Sequence, residues 1–184
     1  MFAIFSEKYR LRALALLITL IPSSMSIFSF LNNISGWKGT MEHVIEPLLT
    51  MNNTHGNPLQ TWRAIDSPLF ASVVYGSITI LEGLVFVIGF IAILKMLSAR
   101  KLSAVCFCQG LKIAKIAAIY AFFVWGFFFY AVAGDWFLAW QNPDLNSLRI
   151  DAVNYGAMAI MALISLHILE KEILDLDSGD IYQE

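Results

Sequence analysis

The sequence predicts an all-α membrane protein, a bundle of four transmembrane helices with a structured outer loop between helices 1 and 2. Three observations predict it. First, the 184-residue chain is 58% hydrophobic and only 14% charged, with a mean hydropathy of +0.68. A soluble domain carries roughly 25% charged residues, so too few polar groups remain here to cover a water-facing surface, and lipid is the expected solvent. Second, four long apolar runs stand at about 13–31, 69–94, 113–134 and 152–168, where an α-helix needs about 20 apolar residues to cross the hydrocarbon. Third, none of the runs alternates with period two, which argues against a β-barrel. The length of 184 residues fits one integral membrane domain.

The first run follows Lys8, Arg10 and Arg12. It is longer than the roughly 7–15 residues of a signal-peptide core and no small-x-small site ends it, so it reads as a retained helix. Pro22 inside it is expected to kink it. The fourth run is short and reaches the interfaces by snorkelling or local thinning. Lys and Arg then set the orientation. Lys8, Arg10, Arg12, Lys95, Arg100, Lys101, Lys112, Lys115 and Lys171 fall on one side, and Lys38, Arg63 and Arg149 on the other. Nine against three places both termini in the cytoplasm. It turns the 32–68 connection (the outer cap) and the 135–151 connection outward. The acidic tail, 170–184, reads as a solvated end.

The 32–68 connection is long enough to carry structure of its own. Met41, Val44, Ile45, Leu48 and Leu49 repeat at helical spacing and make one apolar face. Thr40 is the expected N-cap, and Pro47 is expected to break the element and push Glu46 out of helical geometry. "MNNTHGNPLQ" reads as turn, and Ser67-Pro68 as the start of the second span.

Aromatic and charged groups gather at the outer interface. Trp136 and Trp140 are four apart and would share a face on a continuing helix; Trp62 and Trp37 lie in the other connection. This is the composition of an interfacial aromatic belt, with a platform for a lipid, a quinone or a partner helix as the sharper reading. Asp135 is expected to pair with Arg63 or with Arg149, and a bidentate contact would pin the loop to the bundle.

Glu82 is the only acid deep in a span, thirteen residues from both Leu69 and Lys95. An intramembrane ionisable group is a functional-site candidate by default. It shares a stripe with Ser72, Tyr75, Gly76, Thr79, Gly83, Phe86 and Gly89, and small and polar residues of this kind mark helix–helix contacts. Glu82 should therefore point inward, toward Tyr120 and Trp125 on the third span or Tyr155 and Ser165 on the fourth. It serves either as an interhelical hydrogen-bonding group or as a proton- or ligand-handling one.

Other chemistry is weakly signalled. The net charge of −2 gives no reason to expect nucleic acid. Glu42, His43, Glu46 and His55 match no zinc spacing and read as solvated polar groups, so no metal is expected. No cofactor is expected either: haem needs an axial ligand, and His167 is the only histidine in a span. Cys106 and Cys108 are too close in sequence for a structural disulfide.

The chain order is a short first span, "NNIS", "EHVIEPLLTMNNTHGNPLQTWRAIDSP", a second span with a central acid, and "GDWFLAWQNPDLNSLRIDAVNYGAM". In this it resembles the bacterial family of predicted small integral membrane proteins, catalogued only as a domain of unknown function. The resemblance covers nearly the whole chain and departs at Glu46-Pro47-Leu48-Leu49, which reads as extra sequence. It implies a four-helix protein of the bacterial inner membrane and no particular activity.

The leading expectation is a non-enzymatic accessory or scaffold subunit in the lipid bilayer, binding lipid, another membrane protein or a second copy of itself. The alternative is a small oligomeric transporter or channel subunit that uses Glu82. A membrane thiol/quinone oxidoreductase comes third, because such enzymes need external cysteine pairs and the Lys/Arg count puts Cys106 and Cys108 inside.

Overall fold

A computed structural model describes residues 7–179. In chain order they form α1 (Glu7–Ser35), α2 (Trp37–Thr40), a π turn (Met41–Ile45), α3 (Glu46–Leu49), α4 (Pro58–Thr61), α5 (Pro68–Ser98) and α6 (Ala104–Phe123). α6 continues as a π-helix over Val124–Trp136, and a 3-10 turn (Ala139–Gln141) precedes α7 (Asn146–Gly179). The described residues contain no strand. The fold is all-α, and four helices are long and apolar enough to cross a membrane: α1, α5, α6 with its π continuation, and α7.

Side-chain size is distributed as lipid requires. Leu17, Phe28, Ile80, Met161 and Ile164 are more than half exposed, whereas Ala15, Ala92, Ala114, Ala117, Ala121 and Ala159 are fully buried. In water each large exposed side chain would forgo roughly 1.5–3 kcal/mol. Against acyl chains that loss disappears, and close approach of small residues becomes the source of helix association.

The chain divides into two compact units, each drawing segments from all four long helices. Among the described residues the first comprises 7–25, Leu84–Tyr120 and 158–179. Its core joins Leu11 and Ala15 of α1, Ala92 and Met96 of α5, Phe107 and Leu111 of α6, and Leu166, Leu169 and Ile173 of α7. Two glycines permit the contacts. A Cβ on Gly89 would stand 2.0 Å from Ser23 Oγ, and one on Gly110 would stand 2.8 Å from the Met96 backbone nitrogen.

The described part of the acidic tail continues α7, burying one face while Lys171, Glu172, Asp175 and Ser178 stay exposed. α7 runs on because Leu169 and Ile173 are buried in the core and Leu176 packs against it at helical spacing. Two of the tail's four described acids are also engaged: Glu170 accepts from Lys115, and Asp177 accepts from Lys8 at 2.6 Å and from the Ala104 backbone N–H at 2.9 Å; Glu172 and Asp175 stay exposed. The rest of the expected tail, 180–184, lies outside the described residues.

The second unit comprises Ser26–Gly83 and Ala121–Ala157. Here the apolar face over 41–49 buries Met41, Ile45, Leu48 and Leu49, with Val44 partly buried, in a cluster that includes Ala71, Tyr75, Ala133 and Phe137. Its start and its proline differ from expectation. Thr40 is helical (φ −66°) and makes no side-chain cap; the helical run begins at Trp37, with Gly36 before it. Glu46 keeps helical geometry (φ −64°, ψ −47°) despite Pro47. The physical reason is the π turn: the helical run is continuous, but the Glu46 N–H bonds the Met41 carbonyl five residues back, so the ordinary four-residue ladder that a proline interrupts is already broken where Pro47 enters. The stretch 51–60 is partly helical, because Asn57 Oδ1 caps α4 by accepting from Leu59 N–H at 3.0 Å. Met51, Asn53 and Gly56 turn the chain with positive φ. Ser67 Oγ accepts from Phe70 N–H at 3.3 Å, and Pro68 opens α5.

Gly110→Ala should lower thermal stability in detergent by about 1–3 kcal/mol, the usual cost of overpacking. Gly126→Ala, whose new Cβ would meet only the Phe122 ring at 3.8 Å, should be close to neutral.

Candidate functional site

The second unit holds a cavity of about 240 Å³ with one carboxyl group deep in it. Glu82 is 1% exposed. It sits on the inward stripe of α5 with Tyr75 and Thr79, which are also buried. Thr79 Oγ1 donates to its own helix, to the Tyr75 carbonyl at 2.9 Å. The partner of Glu82 is Asn33, near the end of α1, whose Nδ2 donates to Glu82 Oε2 at 2.6 Å. Tyr75 then joins the same strand of contacts, since its hydroxyl donates to the Asn33 carbonyl at 3.3 Å and its ring lies 4.5 Å from that of Trp37. Gly83 permits the approach of α1 to α5, with the Phe30 ring 3.0 Å from where its Cβ would be.

The opposite wall is aromatic. Trp125, on the π-helix, is buried and stacks on Tyr155 of α7 with centroids 5.3 Å apart. Both line the cavity, as does the exposed Asp151. Of the residues expected around Glu82, Trp125 and Tyr155 thus share its cavity, while Tyr120 and Ser165 belong to the first unit, and Tyr120 is exposed. Asn33 was missed. It falls at the end of an apolar run, where an amide reads as a helix end rather than as a partner for an acid 49 positions on.

The aromatic and charged residues around 135 form a separate cluster. Leu138 adopts φ +57° and ends the π-helix, so Trp136 and Trp140 do not share a helical face. Trp136 packs edge-on against Trp62 at 6.2 Å and lies under the Arg63 guanidinium at 4.9 Å. Trp140 packs edge-on against His55 at 5.9 Å. Asp135 has its ion pair with Arg149, through one N···O distance of 3.8 Å; Arg63 reaches only the Asp135 backbone carbonyl, at 3.5 Å. Arg149 donates instead to the Tyr130 hydroxyl at 3.1 Å. No bidentate clamp forms.

Two buried amides link the connections. Gln141 Oε1 accepts from His55 N–H at 3.1 Å, and Asn142 Nδ2 donates to the Asn52 carbonyl at 2.9 Å. An amide satisfies a buried backbone group without taking a charge out of water, which makes it the cheaper pin.

Among the described residues no three His, Cys, Asp or Glu converge as a metal-binding set. Cys106 and Cys108 are both free thiols, the first exposed and the second buried, since two positions on a helix point in nearly opposite directions.

The family described as "Predicted small integral membrane protein (DUF2165)" matches residues 11–169. No curated protein and no solved structure matches the chain.

Two contrasts test these contacts. Glu82→Gln keeps an oxygen for the Asn33 amide and should leave stability near the parent's, whereas Glu82→Leu orphans that amide and should cost about 1–3 kcal/mol; the cost should shrink in an Asn33→Leu background. Asp135→Asn, acting on an exposed pair, should cost no more than about 1 kcal/mol. Asn142→Ala should cost about 1–3 kcal/mol and speed proteolysis of the segment between α1 and α5.

Proposed function

The chain belongs to this family of predicted small integral membrane proteins, and on that premise we propose that it is a non-enzymatic accessory or scaffold subunit that binds another membrane protein. Its membrane is the bacterial inner membrane, with both termini in the cytoplasm. The orientation rests on the nine-to-three distribution of Lys and Arg.

One observation carries the accessory reading: the intramembrane acid is held by a side-chain amide at 2.6 Å from a second helix. An acid that couples ion movement exchanges its partners. One fixed to a neutral neighbour instead sets the spacing of two helices. The segments between the long helices support the same reading, since Gln141, Asn142 and the 41–49 face pack them into a shaped surface.

A second reading has its own observation. Glu82 lines a cavity of about 240 Å³ together with Asp151, which favours a transporter or channel subunit built by self-association.

Purification of the full chain in mild detergent, followed by native mass analysis, separates the two. A stoichiometric foreign subunit is expected. A homo-oligomer whose reconstituted vesicles pass ions, with loss of that flux in Glu82→Gln, would replace the accessory reading with the second. Reporter fusions at both ends should be active only in the cytoplasmic form; a periplasmic signal from either end would overturn the orientation.

A further inference from the structure

The first unit buries a whole arginine. Arg12 is 2% exposed. Its Nη1 donates to the carbonyls of Ala99, Arg100 and Leu102 at 3.2, 2.9 and 2.8 Å, which lie just past the end of α5. Its guanidinium also lies 5.0 Å from the centre of the Phe107 ring. These contacts explain its position but leave its charge. Nε and Nη2 have no hydrogen-bond partner. Among the described residues no carboxylate makes an ion pair with it, and nearby Asp177 has committed its two oxygens to Lys8 and to the Ala104 N–H. Asp177 is close enough to feel the Arg12 charge but makes no direct contact with it, and a buried cation compensated only at a distance is costly in a low-dielectric setting.

Arg12 lines a groove of about 490 Å³. Two further arginines, Arg10 and Arg100, line it too, along with Tyr9. Among the described residues Arg10 makes an exposed pair with Glu7, and Arg100 donates to the Leu97 carbonyl on its own helix. The rest of the groove is apolar, and Leu14 and Leu17 are 42% and 59% exposed. One end thus concentrates guanidinium groups, which match phosphate oxygens in a planar, bidentate way. The other end is a leucine surface, and the two belong to one continuous recess.

We propose that this groove binds an anionic phospholipid. The phosphate sits between Arg10 and Arg100 and balances the buried charge of Arg12, while an acyl chain lies along Leu14 and Leu17. A free phosphate shares the head-group chemistry but makes no use of the leucines. The inference stands apart from the accessory reading, because it needs only the first unit.

The test is thermal unfolding of the full chain in detergent, titrated with phosphatidylglycerol, with phosphatidylcholine or with sodium phosphate. Phosphatidylglycerol should raise Tm where phosphatidylcholine at the same mole fraction and sodium phosphate do not. In the R10Q/R100Q double variant the lipid needed for a half-maximal rise should increase about tenfold, equivalent to ~1.4 kcal/mol. Both side chains are exposed, so the variant's Tm in phosphatidylcholine should equal the parent's. Should it differ, Leu17→Asn, which keeps all three arginines, must weaken the lipid response by itself. Equal stabilisation by the two lipids, or an undiminished response in both variants, would overturn the proposal. A full response to sodium phosphate alone would assign the groove to a soluble anion instead.

Discussion

Hydrocarbon offers no hydrogen bonds, and the organisation of both units follows from that constraint. Each polar group carried into the long helices has to find its partner within the protein. Glu82 finds Asn33, Lys115 finds Glu170, and Arg12 finds three backbone carbonyls. Each of these contacts joins residues far apart in sequence. The apolar surface does not choose among helix packings, because lipid tails serve it as well as leucine does. The small residues let backbones come close, and the polar groups select which faces meet.

The same constraint explains the unequal legibility of the chain. Its fold class could be read from composition and run length, because a stretch such as 69–94 has few other ways to be soluble in anything. The 41–49 apolar face was readable for a similar reason: its periodicity repeats over two turns. Partners were not readable, since a pair such as Asn33 and Glu82 is created by helix packing and leaves no spacing signature. Arg12 looked like one of several charges before a span, and nothing local distinguishes a buried cap from an interfacial anchor. The π turn before Pro47 and the left-handed Leu138 are also invisible to pattern reasoning, because both follow from packing around them.

The connections show how amides take over where charges were expected. Asp135 and Arg149 stand at 3.8 Å, both substantially exposed, a geometry worth little in water. Gln141 and Asn142 are buried and close onto backbone groups of the 51–60 stretch. The tryptophans then fill the remaining edges, with Trp62 against Trp136 and His55 against Trp140. Their rings serve local packing as well as any contact with the bilayer.

Because each unit is assembled from separated stretches of chain, synthesis imposes an order on it. Once the second long helix has been inserted, Asn33 and Glu82 are both present and can meet while the ribosome is still at work. Both units are completed only by the fourth long helix, and in the first unit charges wait for it. Lys8 and Asp177 are 169 positions apart, and Lys115 needs Glu170, so a nascent chain of three helices holds those cations unpaired. The last helix therefore brings the partners of both cations at once and closes the chain's long-range contacts in a single step.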